Sequence, residues 1–295
     1  MLQKKKLQSP ENSSAWPRFS RWLLMVACLT LFGISGSRAG SSQKPRTDDR
    51  AAVMMTQYYE HMSQPKPFLV RTGKDWESRQ EEIRARMLKD MHLDPLPERI
   101  PLDPHYSEPI QHPWCTIHKV AFQLWPGVYS RGLLFMPREW KEKPAPAVLC
   151  VHGHTDDGYA DGDEQKRYLM FAKLGYVTFV TPQDHHDDIL RGYPHQTYMV
   201  WNNMRGLDFL QSLPEVDPSR IGVNGLSGGG LQSQMLVALD RRLKAATIAG
   251  ITCDYREKLF TYTHHCECNH WPEAMTYTDQ PEISALGFPA AVQFL

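Results

Sequence analysis

Short apolar blocks alternate along this chain with longer stretches in which apolar residues return every three or four positions. Residues 115–124 and 128–136 are rich in β-branched and aromatic side chains and flank Trp125-Pro126-Gly127. That pattern predicts two strands joined by a tight turn into an antiparallel hairpin. Residues 147–151 are wholly apolar, as expected of a strand covered on both faces. A helix is predicted over 163–174, a strand over 176–181, and a helix with Val200, Met204, Leu207 and Leu210 on one face. A strand at 221–224, a helix at 231–239 and a strand at 245–251 continue the alternation. Strands separated by helices of this length imply parallel βαβ units, so the fold class is α/β: a mostly parallel sheet with helices on both faces, opened by an antiparallel hairpin.

Ahead of the hairpin, residues 75–92 read as a helix capped by Asp75, with Ile83, Met87 and Met91 at helical spacing. Pro95, Pro97, Pro101, Pro104, Pro109 and Pro113 follow, which predicts an extended strap laid over a domain. The first 39 residues stand apart. Lys4, Lys5, Lys6, Arg18 and Arg21 precede an apolar run from Trp22 to Ile34, and Ser37-Arg38-Ala39 supplies small residues where a signal peptidase cuts. The run is roughly two-thirds of the ~20 residues that a membrane span needs. The expectation is a cleaved secretory signal, a secreted or periplasmic protein, and no stable membrane association after cleavage. The domain reading is therefore residues 1–39 as signal, 40–110 as linker, helix and arm, and 111–295 as the main domain.

Composition narrows the partners. Taking the segment's six basic residues and one Glu from totals of 33 and 33 leaves 27 basic and 32 acidic residues, a balance of −5. No basic stripe remains to track a phosphate backbone, so nucleic acid is not expected as a partner. Cys115, Cys150, Cys253, Cys266 and Cys268 remain. An odd number leaves at least one thiol unpaired, and the spacing is not that of a disulfide framework.

The chemistry centres on Gly225-Leu226-Ser227-Gly228-Gly229. The G-x-S-x-G pattern alone is common. Here it falls where a predicted strand ends and a helix begins, which is the context a nucleophile elbow requires. Such a turn lifts the serine hydroxyl above the sheet at a helix N-terminus, where developing negative charge is favoured. The bland reading is a glycine-rich turn whose serine caps the helix. His152-Gly153-His154 follows the apolar strand 147–151. A loop in that place can supply one backbone N–H of an oxyanion hole, and the residue after the serine the other. The candidates are His154 and Gly228, with His152 bonding the loop backbone. His264, His265, Cys266, Cys268 and His270 lie within seven residues, but no C-x-x-C or H-x-x-x-H spacing occurs, so packing is expected there and no metal site. Asp184, His185, His186, Asp187 and Asp188 follow the strand 176–181, either lining a ligand crevice or lying in a solvated loop.

Taken together, these stretches resemble the α/β-hydrolase superfamily, and within it the acetyl-xylan-esterase-like and dienelactone-hydrolase-like esterases. Met87 to Leu102, Val128 to Pro137, Val151-His152-Gly153-His154, Gly206-Leu207-Asp208-Phe209-Leu210 through Pro214-Glu215-Val216-Asp217 to Arg220-Ile221-Gly222-Val223, and Ser227-Gly228-Gly229-Gly230 carry the likeness, which covers roughly residues 75–286. The resemblance implies a serine esterase with Ser227 as nucleophile, an acyl-enzyme, a small-molecule or carbohydrate ester as substrate, and no cofactor. It also implies an acid and a histidine placed after two further strands, which leaves both unassigned here. After Leu286 the wording departs from the family's, so the expectation is a hydrolase fold lacking its last strands and an impaired enzyme. Two rival readings remain: a non-catalytic binding protein on the same scaffold, and a prolyl-oligopeptidase-type peptidase, for whose propeller the arm before residue 115 leaves no room.

Overall fold

The predicted hairpin forms. In the computed structural model, β3 (Cys115–Trp125) and β4 (Val128–Pro137) run antiparallel from Cys115 opposite Pro137 to Trp125 opposite Val128. Gly127 takes the positive φ (74°) that the tight turn demands, and its N–H donates to Gln123 Oε1 at 2.8 Å. The structure describes residues 72–183, 192–251, 253–255 and 273–295, with Gln57, His61, Lys258, Cys268 and Trp271. The signal and linker readings, the run 184–188, and His264, His265, Cys266 and His270 lie outside the described residues. Gln57–Leu295 make one compact unit.

The central strands are β5 (Ala145–Val151), β6 (Val177–Thr181), β7 (Val216–Leu226), β8 (Ala245–Ala249) and β9 (Ala291–Phe294). With β1 (His105–Tyr106) at one side, the sheet order is β1-β3-β4-β6-β5-β7-β8-β9, and β2 (Ile110–Gln111) pairs with another part of β3. β4 meets β6 antiparallel, and every pairing from β6 to β9 is parallel. β5 lies in the middle and its side chains divide by parity. Ala147, Leu149 and Val151 join the larger core, while Val148 and Cys150 join a smaller one with Phe135, Tyr168, Ala172 and Val180. α2 (Gly162–Lys173) covers the smaller side, and α3 (His195–Ser212), α4 (Gly228–Leu239) and α1 (Gly73–Asp90) contribute to the larger. This is the α/β-hydrolase fold. No helix among the described residues is long and apolar enough to cross a membrane.

The arm belongs to the same core. Ile83, Met87, Met91 and Leu93 are fully buried with the residues of the sheet. Thr72, not Asp75, caps α1: its hydroxyl accepts from Asp75 N–H at 3.1 Å, and Asp75 sits in the first turn, where its charge favours the helix dipole. Arg84 donates to the carbonyls of Ala238 (2.7 Å) and Leu286 (2.6 Å), tying α1 to the ends of α4 and of α6 (Gln280–Ala285), which follows the short α5 (Ala274–Tyr277). Arg79 grips Glu282 of α6 through two nitrogens at 2.8 and 2.9 Å. The proline-rich strap runs extended and lays β1 and β2 on β3. The departure after Leu286 does not end the sheet. Ala291–Phe294 add β9 beside β8, and Leu295 prolongs the ladder by accepting from Gly250 N–H at 2.9 Å.

Candidate active site

Close backbone approach dictates the glycines around Ser227. A Cβ on Gly225 would stand 2.2 Å from the carbonyl oxygen of Gly229, and one on Gly229 would stand 2.2 Å from that of Val151. β7 therefore turns into α4 with no room for side chains at these two positions. Ser227 is held at φ 57°, ψ −122°, a conformation that costs a non-glycine residue of order 1–3 kcal/mol and persists only where its surroundings enforce it. The enforcement is visible: Ser227 N–H donates to Ala249 O at 2.9 Å, and its carbonyl accepts from Leu231 N–H at 3.1 Å. Ser227 stands at the N-cap position of α4, and its hydroxyl makes no capping hydrogen bond there. Ser227 is solvent-exposed, at the positive end of a twelve-residue helix.

The loop after β5 meets this turn. A Cβ on Gly153 would lie 2.8 Å from Leu226 O and 3.3 Å from Ser227 Cβ, so loop and elbow touch through Gly153. His152 is buried, and its Nε2 accepts from Gln183 N–H at 3.0 Å. Its Nδ1 therefore carries the proton and donates to Gly153 O at 2.8 Å, the loop-bonding role expected for it. Gln183 extends the network: its amide donates to Thr181 O (3.1 Å) and Asn203 Oδ1 (3.0 Å), and Asn203 donates to Gln232 Oε1 (3.3 Å) on α4. A cleft of about 690 Å³ opens beside the loop, lined by residues 152–160 with Arg131 and Gln183.

The structure brings His154 against Gly228, the residue after Ser227. The sequence did not foretell the side chain of His154. Its imidazole lies over Gly228, where a Cβ would be 3.0 Å from Cε1 and Nδ1, and its Nε2 is 3.4 Å from Cys268 Sγ. Cys268 is fully buried, and its carbonyl accepts from Gln196 Nε2 at 2.8 Å. Two carboxylates near the end of the chain are committed elsewhere. Asp279 accepts from the N–H groups of Tyr255 (2.8 Å) and Gln280 (2.7 Å), and Glu282 holds Arg79. Among the described residues no side chain hydrogen-bonds the Ser227 hydroxyl, and no cluster of three or more His, Cys, Asp or Glu could hold a metal ion.

No protein-family model matches the chain. A Bacillus subtilis (strain 168) protein named as a hydrolase, YtaP, is 30% identical over 133 residues, which cover 37% of this chain and 44% of that protein. The uncharacterized peptidase YuxL of the same organism is 28% identical over 132 residues, 41% of this chain and 19% of that protein. The chain therefore spans less than half the length of these curated relatives. Among solved structures, a Bacteroides fragilis NCTC 9343 protein assigned as an acetyl xylan esterase superposes with a TM-score of 0.69 at 18% identity, covering 85% of this chain and 77% of that one. Methylesterase BT1017 gives 0.66 at 23% identity, over 81% and 55%. A glucuronoyl esterase from Solibacter usitatus gives 0.56 at 16%, over 76% and 75%. At these identities the likeness is one of fold, that of the α/β-hydrolases.

Proposed function

We propose that this protein is a serine carboxylic-ester hydrolase of the acetyl-xylan-esterase type, acting on a small-molecule or carbohydrate ester through an acyl-enzyme on Ser227. The observation that carries the reading is the enforced positive φ of Ser227, with its hydroxyl uncapped and exposed at the head of α4. Strain of this kind marks a functional turn when the neighbouring backbone over-determines it. The esterase names of the structural neighbours and the hydrolase name of a sequence relative support the same class.

In the proposed reaction the Ser227 oxygen attacks the ester carbonyl and loses its proton to a base. The N–H groups of Gly228 and His154 receive the oxyanion, the alcohol leaves, and water releases the acid. In this fold the acid follows the strand after β8 and the histidine comes later still. Asp279 and Glu282 precede that strand and hold structural partners. Hydrolysis of p-nitrophenyl acetate by the protein should accordingly depend on Ser227 and be lost in Ser227→Ala with the fold intact. An undiminished rate in that variant would overturn the serine mechanism.

The lone hydroxyl also favours a second reading, a binding protein that keeps the scaffold without the chemistry. Labelling of Ser227 by a fluorophosphonate separates the two: a labelled serine is a nucleophile, whereas an unlabelled one in a folded sample speaks for binding alone.

A further inference from the structure

α2 begins on Gly162 beneath the Asp161 cap and carries Arg167 in its second turn, on the smaller-core side of the sheet. Its guanidinium is largely buried and spread across two strands. Nη1 donates to the carbonyl of Asn224 at 3.0 Å and also to the Asn224 side chain; Nη2 donates to the carbonyl of Val151 at 3.1 Å. Glu164, one turn earlier, accepts from Nη2 and from Tyr168 Oη (2.9 Å), so the fork is held from behind. The two carbonyls have particular places in the chain. Val151 ends β5 and is followed by His152-Gly153-His154; Asn224 precedes Gly225-Leu226-Ser227. In the ladder Asn224 stands opposite Cys150, and Gly225 opposite Val151. The Val151 carbonyl is also the atom against which Gly229 packs. One oxygen thus lies between the guanidinium and the turn that carries Ser227.

We infer that Arg167 is a positioning residue: it sets the spacing between the loop that ends in His154 and the turn that carries Ser227. The inference rests on the esterase reading for its catalytic meaning, but not for its structural content. A planar guanidinium presents two N–H groups to acceptors on two strands at once, which a single ammonium cannot do. Oxyanion donors act only where they are held in place, and a misplacement of about 1 Å costs on the order of 100-fold in rate.

The test uses the chain of residues 40–295 and its Arg167→Gln, Arg167→Lys and Asn224→Ala variants. Amide hydrogen exchange is followed in peptides covering 151–158 and 224–231, with 133–137 and 198–210 as internal references. Arg167→Gln should speed exchange at the first two by about tenfold or more and leave the references within about twofold, and Arg167→Lys should fall between. Should Arg167→Gln not fold, Asn224→Ala removes one acceptor alone and should show the same local pattern more weakly. Where p-nitrophenyl acetate is turned over, kcat should drop about 10- to 100-fold with KM within about twofold. Uniform acceleration across the sheet, or none at the two site peptides, overturns the clamp. An unchanged rate in Ser227→Ala would instead overturn the esterase reading, while the exchange data would still decide the clamp.

Discussion

The turn at residues 225–230 packs on the sheet, and so do described residues of the excursion between β8 and α6 such as Tyr255 and Trp271, yet the two are built in opposite ways. In the turn, backbone meets backbone: a methyl group on Gly225 or Gly229 would stand 2.2 Å from a carbonyl oxygen, and the strained Ser227 has both its own main-chain groups bonded. Described residues of the excursion bury polar side chains instead. Lys258 is 1% exposed, with no hydrogen-bond partner for Nζ among the described residues, and burial lowers it to about 8. Burial raises the half-buried Asp279, and it pushes the Tyr255 hydroxyl well above its usual range. Strain is cheap to hold where rigid neighbours leave no alternative, whereas a buried charge costs stability unless something answers it.

The largest effect should come from breaking the turn. Gly229→Ala places a methyl group on the Val151 carbonyl, and both sides of the clash are main chain, so nothing can swing aside. A loss of about 3 kcal/mol or more is expected, or failure to fold. A melting temperature within about 2 °C of the parent would mean the turn is looser than its geometry.

The excursion should respond with the opposite sign. Lys258→Met removes a buried ammonium and should stabilise the protein at pH 7, by on the order of 3 kcal/mol at most for a group lowered from 10.5 to about 8. The pH dependence follows from proton binding. Between about 8 and 10.5 the unfolded chain holds the proton that the folded one has released, so the parent gains stability as pH rises through that window. The advantage of the variant should therefore be full below about pH 8 and fade toward 10.5. Denaturant titrations of both proteins at pH 7, 9 and 10 would show it, and a pH-independent difference would contradict the buried charge. Smaller still, Trp271→Phe forfeits the bond from Nε1 to Tyr277 Oη (2.8 Å) and should cost about 1 kcal/mol in the same titration.

Short-range chemistry wrote much of the molecule into its sequence. Periodicity located the hairpin, β5, β6, β8 and the helices between them to within a few residues, because each element's burial pattern repeats locally, and it found only the later part of β7, which starts at Val216. Gly225, Ser227 and Gly229 at the end of an apolar strand announced the turn, since only glycines fit where main chains touch. One turn of ambiguity misplaced the cap of α1 from Thr72 to Asp75, since two polar residues near a helix start compete for the same N–H groups. Other features were decided by tertiary structure alone. Arg167 reaches Asn224 across 57 positions, and His154 meets Cys268 across 114. Nor did the wording after Leu286 disclose β9, which forms because Ala291–Phe294 find the free edge of β8. A local pattern specifies how a segment folds on itself, but which distant groups it meets depends on a sheet order set by the collapse of the whole chain.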